Sequence, residues 1–168
     1  MTVASASKSA SAATPAVRVL NLAGIDYSLH SFEHDPATRR YGSEAADKLG
    51  VGSDQVFKTL MIQVDGAPVT ALVPVSGQLD LKALASARSA KKAQLAGVAE
   101  TERRTGYPVG GVSPFGQRHA VPVVIDRTVL EHASVFVSAG RRGLEIEIRP
   151  EDLVMLTNAQ VAKIAALD

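Results

Sequence analysis

The apolar positions along this chain change period several times, and each change predicts an element. Ala16, Val17, Leu20 and Ala23 fall at helical spacing. Thr14 is a suitable N-cap ahead of them, Pro15 suits the first turn and Gly24 the stop, so a helix is predicted from Thr14 onward. Tyr27 to Phe32 alternates as a short strand. Glu33 to Gly42 is polar and holds a proline, which predicts a loop. Ser43 to Leu49 predicts a second helix, stopped by Gly50. Phe57 to Val64 is the clearest strand, Asp65-Gly66 a hairpin turn, and Pro68 to Val75 the returning partner.

Beyond residue 76, Asp80 caps a predicted helix over Leu81 to Ala87, and a short strand is expected from Lys92 to Leu95. Glu100 to Arg104 reads as a helical turn. Residues 105–117 hold four glycines and two prolines, so a loop is expected there. Val121 to Ile125 and Ser134 to Val137 read as buried strands. Gly143 to Ile148 alternates Leu or Ile with Glu, as a half-exposed strand would. Pro150 to Leu156 and Ala159 to Leu167 are predicted to close the chain as helices. Two hairpin-like pairs, over 57–75 and 134–148, favour an α+β fold with a mixed, partly barrel-like sheet over a doubly wound parallel one.

Composition narrows the chemistry. The 168 residues fit one domain, and 46% hydrophobic against 21% charged residues is an ordinary globular balance. With no cysteine, disulfide scaffolds, thiolate zinc sites, Fe–S clusters and cysteine nucleophiles are excluded. No apolar run approaches the ~18 residues of a membrane span. In residues 1–13 nine are Ala or Ser, which predicts a disordered tail before a domain over 14–168. That tail lacks the features of a transit or secretory signal. Its Lys8 supplies the whole net charge of +1, because 17 basic and 17 acidic residues remain without it.

Several features could carry chemistry, and each has a plainer reading. Lys58 opens a strand face shared with Leu60, Ile62 and Val64, where a charge needs an anionic partner or must snorkel to water. Gly110-Gly111-Val112-Ser113-Pro114 could form a backbone nest for an anion, or simply a surface turn. Ser138-Ala139-Gly140-Arg141-Arg142-Gly143 could be a binding turn or a tight hairpin with solvated arginines. His30, His34, His119 and His132 show no metal-ligand spacing, so a metal site is not expected. Asp35 and Asp126 could act as acid–base groups, but nothing pairs them with a histidine. Doublets such as Arg39-Arg40, Lys91-Lys92 and Arg103-Arg104 could hold phosphates or sit on a solvated surface.

Taken together, several stretches resemble the YbaK family of aminoacyl-tRNA deacylases, related to the editing domain of bacterial prolyl-tRNA synthetases. They are Thr14-Pro15-Ala16, His34-Asp35-Pro36, Phe57-Lys58-Thr59-Leu60, Gly77-Gln78-Leu79-Asp80-Leu81-Lys82, the run from Thr105 to Pro114, and Val137 to Leu144. The resemblance implies a mixed sheet curled into a partial barrel with helices around it. It implies a cytoplasmic, cofactor-free enzyme cleaving the ester at the 3′ end of a mischarged tRNA, with Cys-tRNA(Pro) foremost. tRNA is the implied partner, prolyl-tRNA synthetase a second one, and no membrane is involved. The family's lysine falls on Lys58, and pocket positions on Phe32, Tyr41 and Thr59. The loop facing the scissile carbonyl falls on Gly110 to Pro114, and the small-residue turn on Ser138 to Gly140. The chain departs from the family pattern at Phe32, where Tyr is expected, and at Ala139, where Gly is expected.

An aminoacyl ester is already activated, so such an enzyme needs to orient it and stabilise the oxyanion. The resemblance implies that the substrate's own thiol attacks its carbonyl, with Lys58 at the terminal ribose, phosphate or developing charge. The Gly110 and Gly111 amides are assigned to the carbonyl oxygen; one such donor is typically worth ~3 kcal/mol of barrier. Ser113, Pro114, Ser138 and Gly140 complete the expected binding surface. A water-mediated deacylase for Ala- or Ser-charged tRNA, and a noncatalytic tRNA-binding partner of the synthetase, remain as alternatives.

Overall fold

A computed structural model describes residues 13–167, so the expectation of a disordered tail falls almost wholly outside the described residues. Helix α1 spans Pro15–Ala23. The Thr14 hydroxyl accepts a hydrogen bond from the Val17 N–H at 3.2 Å, and Gly24 ends the helix at φ 67°. Strand β1 covers Ser28–Ser31, and α2 covers Tyr41–Leu49, two residues longer at its start than expected. β2 (Phe57–Val64) and β3 (Ala67–Pro74) form the predicted hairpin. Its turn needs the left-handed region twice, at Asp65 (φ 47°) and Gly66 (φ 81°), which explains the Asp-Gly pair. The Asp65 carboxylate also accepts the Lys91 and Lys92 N–H groups.

Next come β4 (Gly77–Leu79), which the pattern did not reveal, α3 (Leu81–Ala87) and β5 (Ala93–Leu95). Asp80 caps α3 as expected, accepting from the Ala83 N–H at 3.1 Å. α4 (Val98–Thr105) is a two-turn helix rather than a single turn. β6 (Val123–Asp126) leads through a 3-10 turn to the hairpin of β7 (Val135–Arg141) and β8 (Leu144–Ile148). β7 runs four residues past the expected Val137 end, through an irregularity between Ser138 and Arg141. α5 spans Pro150–Thr157.

The chain then departs from expectation. No helix covers 159–167; β9 (Gln160–Ala162) and β10 (Ala165–Leu167) stand there instead. Four alanines in these nine residues favour helix, but tertiary bonding overrides it. Buried Asp126 accepts the Ile164 and Ala165 N–H groups at 2.9 and 2.8 Å, while β9 and β10 pair with the edges of β6 and β4. Asp126 is thereby a structural clamp, not an acid–base group.

The strands form three sheets: β1-β8-β7, β5-β2-β3-β6-β9 and β10-β4. Antiparallel pairs dominate, with β3–β6 and β6–β9 parallel. No sheet closes on itself among the described residues. A parallel bridge from Val56 to Phe136 joins the first two sheets, giving the partial curl. One apolar cluster packs α1 and the Leu144, Ile146 and Ile148 face of β8. A second packs Ile62, Val64, Val69, Ala71 and Val73 against Leu84 and Ile164. The other side of this sheet, which carries Phe136 of β7, packs against α2.

Candidate active site

A cavity of about 710 Å³ opens where the two larger sheets meet. β5 pairs only with Ile62 to Val64 of β2, so the first half of β2 keeps one backbone edge unpaired by a strand. That edge explains why consecutive residues, Lys58 and Thr59 among them, line the cavity despite strand alternation. Lys58 thus neither sinks into the apolar core nor stands on the outer surface; it is half-buried at this wall.

Tyr41 enters from the start of α2. Gly110 lies under its ring, so closely that a Cβ on Gly110 would come within 2.6 Å of the ring carbons. The Arg142 guanidinium sits 4.8 Å from the Tyr41 ring centroid and donates to the Val109 carbonyl from Nε and Nη2 at 2.9 and 2.7 Å. Arg142 therefore clamps the glycine loop while remaining exposed to solvent. Tyr107 braces the same loop from below, donating from its hydroxyl to the Phe115 carbonyl at 2.7 Å.

Of the residues singled out from sequence, Lys58, Thr59, Tyr41, Gly110 and Ser138 share this cavity. Arg39, Arg40 and Val112 also line it, whereas Gly111, Ser113, Pro114, Gly140 and Phe32 lie off its wall. The Gly111 N–H donates to the Pro108 carbonyl at 2.8 Å, and a Cβ there would strike the Arg141 backbone at 2.8 Å. Its amide is committed to the turn, which leaves Gly110 as the glycine of the pair that lines the cavity. Ser113 is fully buried, with its hydroxyl accepting from the Phe115 N–H at 3.2 Å. Its neighbour Pro114 continues that buried loop, away from the lining. Gly140 faces Tyr107 and Thr14. Phe32 packs beside the α2 core cluster with the Lys48 ammonium 5.8 Å above its ring. Ala139 is fully buried in the core, so its extra methyl does not reach the cavity.

One residue at the site escaped the sequence reading. Glu145 lines the cavity from the middle of β8, opposite His30 of β1 and Ser138 of β7 in the ladder. It is only 9% exposed, and its Oε2 has no hydrogen-bond partner among the described residues. Burial pushes its carboxyl up to about 8. The Leu-Glu-Ile-Glu-Ile alternation did place Glu145 opposite the apolar face, but at Glu145 that side borders the cavity rather than open solvent. At the mouth stand Arg39 and Arg40, with exposed Leu95 and Val98 also on the lining. Among the described residues, no cluster of three or more His, Asp or Glu could hold a metal ion.

The family model described as an aminoacyl-tRNA editing domain matches residues 35–156, which includes every cavity-lining residue named above. The chain belongs to the aminoacyl-tRNA editing family. It is 34% identical over 152 residues to the "Putative Cys-tRNA(Pro)/Cys-tRNA(Cys) deacylase EbsC" of Enterococcus faecalis, covering 90% of this chain and 92% of that one. It is 39% identical over 88 residues to a proline–tRNA ligase of Nitratidesulfovibrio vulgaris, covering 52% of this chain and 15% of the ligase. A crystal structure titled "putative trans-editing enzyme for prolyl tRNA synthetase" superposes with a TM-score of 0.78 at 26% identity, over 92% of this chain and 98% of that one. As a member of the editing family the chain is an aminoacyl-tRNA deacylase, and the curled α+β architecture is the editing-domain fold.

Proposed function

We propose that this editing enzyme acts in trans, removing cysteine from mischarged tRNA(Pro) in the cytoplasm, beside prolyl-tRNA synthetase. The observation that carries the reading is the convergence of Lys58, Thr59, Tyr41, Gly110 and Ser138 on one cavity from separate elements. The similarity to EbsC, whose name includes Cys-tRNA(Pro), supports the substrate class. The cavity has space for the aminoacyl end of a tRNA, and Arg39 and Arg40 at its mouth can meet the phosphates that follow.

The chemistry follows from what the wall offers. The ester is activated, and the chain has no cysteine, so any thiol in the reaction belongs to the substrate. The substrate thiol attacks the carbonyl carbon. The C–O bond to the tRNA ribose breaks, the ribose oxygen takes up a proton, and a cyclic thioester leaves. Lys58 places its positive charge beside the terminal ribose or the developing oxyanion. Gly110 presents backbone at the carbonyl, held there by the Tyr41 ring and the Arg142 clamp.

Deacylation of Cys-, Ala- and Ser-charged tRNA(Pro) tests the reading. Cysteine is expected to be released fastest, and Lys58→Ala is expected to lower the rate roughly 100-fold or more, as loss of a charged transition-state contact does. A Lys58→Ala protein that deacylates Cys-tRNA(Pro) at the wild-type rate overturns the role of Lys58. Equal release of alanine and serine points to water as the nucleophile.

A further inference from the structure

Two side-chain polar atoms are buried without a hydrogen-bond partner among the described residues: Glu145 Oε2 and Thr59 Oγ1. Both residues line the same cavity. Leaving a polar atom buried and unpaired costs free energy that folding does not return, and a carboxyl is among the costlier groups. Among the described residues, the other buried side-chain polar atoms are satisfied. Asp126 accepts from Thr128, Ile164 and Ala165, and His30 is paired with Glu147 at 2.9 Å. Two orphans in one cavity therefore mark a place where a ligand supplies the missing partners.

The missing partner must suit both atoms. A cation placed beside the buried Glu145 carboxyl favours loss of its proton, after which the carboxylate accepts only, and a hydroxyl can accept as well as donate. The group that serves both is a compact donor carrying positive charge. An aminoacyl ester has one such group, the α-amino group, a single bond from the carbon that bears the scissile carbonyl. We propose that Glu145 and Thr59 form the subsite for the α-amino group of the aminoacyl moiety, an assignment that rests on the deacylase reading above.

The arrangement explains why the acid sits where it does. Glu145 lies mid-strand on β8, held by β1 and β7 on either side, so its backbone cannot withdraw. Thr59 stands on β2, next to Lys58 on the same wall. An amino group fixed between β8 and β2 sets the orientation of the adjoining carbonyl within the cavity. Burial strengthens the contact, since a charge-assisted hydrogen bond away from water is stronger than one at the surface.

N-acetylation of the aminoacyl-tRNA removes the positive charge and leaves the ester. The assay compares kcat/KM for Cys-tRNA(Pro) and N-acetyl-Cys-tRNA(Pro) in the wild type, Glu145→Gln, Glu145→Ala and Thr59→Val. In the wild type, acetylation is expected to cost roughly 10- to 100-fold, the worth of a buried hydrogen bond to a charged group. In Glu145→Ala the two substrates should differ by less than about threefold, with the loss falling on the unmodified one. Thr59→Val should narrow the gap in part, which keeps the test usable if one Glu145 variant fails to fold. An acetylation cost that is the same in the wild type and all folded variants overturns the subsite. So does an equal fall in kcat for both substrates, the signature of a proton acceptor for the thiol. If the wild type releases cysteine from neither substrate, the deacylase reading itself fails, and that outcome is distinct from both.

Discussion

Glu145 and Glu147 sit two residues apart on β8 and point to the same side of the sheet, yet they live in opposite circumstances. Glu147 accepts from His30 at 2.9 Å and from the Ser134 hydroxyl, and keeps about a third of its side chain in contact with water. Glu145 is buried with an unpaired oxygen, and burial holds its proton to about 8. The first is what a carboxylate looks like when it serves the fold. The second is a carboxyl the fold tolerates at a cost. The distance between the two roles is one step of strand alternation, about 7 Å.

The largest effect that could break this contrast is thermodynamic. Below pH 4.5 Glu145 is protonated in both the folded and the unfolded chain, so it carries no pH-linked penalty there. Between 4.5 and about 8 the unfolded chain releases this proton and the folded one holds it, so stability is lost as pH rises through that window and then levels. Lys58, Arg39, Arg40 and Tyr41 line the same cavity and His30 stands opposite Glu145 in the ladder; a Glu145 substitution leaves all of them in place. Glu145→Gln cannot ionise, so its advantage over the wild type should grow from pH 5 to pH 8 to on the order of a few kcal/mol. Urea denaturation across that range checks it. A constant difference at all pH values would mean that Glu145 ionises in the folded protein as it does in water.

Glu147→Ala should act in the other direction and with smaller size. It leaves His30, 3% exposed, without its partner, so a loss of about 1–3 kcal/mol is expected. The deacylation rate per folded molecule should stay at the wild-type level, because Glu147 does not line the cavity. A variant of Glu147 that loses activity while keeping stability would collapse the distinction between the two glutamates.

How much of this was legible from sequence follows the range of the interactions involved. The hairpin at Asp65-Gly66, the Thr14 and Asp80 caps and the Gly24 and Gly50 stops are local, and each stands where its residues indicate. β4, β9 and β10 were not legible, because their backbone partners come from distant strands and from the Asp126 carboxylate. At the site, Lys58 stands out from its strand face and Thr59 and Tyr41 from a motif resemblance, and all three line one cavity. Glu145 was invisible for a physical reason: alternation tells which face a residue takes, not what covers that face. Arg142 was ambiguous for the same reason, since its role as a clamp depends on a loop more than thirty residues away.

The smallest test applies the same contrast to β7, where Ser138 lines the cavity and Ala139, its neighbour, points the other way. From sequence, Ala139 stands out as a methyl in place of the family's glycine. In the fold that methyl is fully buried among the apolar residues behind the sheet, and the Ala139 carbonyl accepts from Thr14. Ala139→Gly removes one buried methyl and frees the backbone of the unfolded chain, so a loss of about 1–2 kcal/mol is expected. The ratio of cysteine to alanine release should be unchanged. Parallel denaturation and deacylation measurements separate the two readouts. A shift in that ratio without a change in stability would place Ala139 against the substrate after all, and would mean that the core side of β7 opens toward the cavity when tRNA binds.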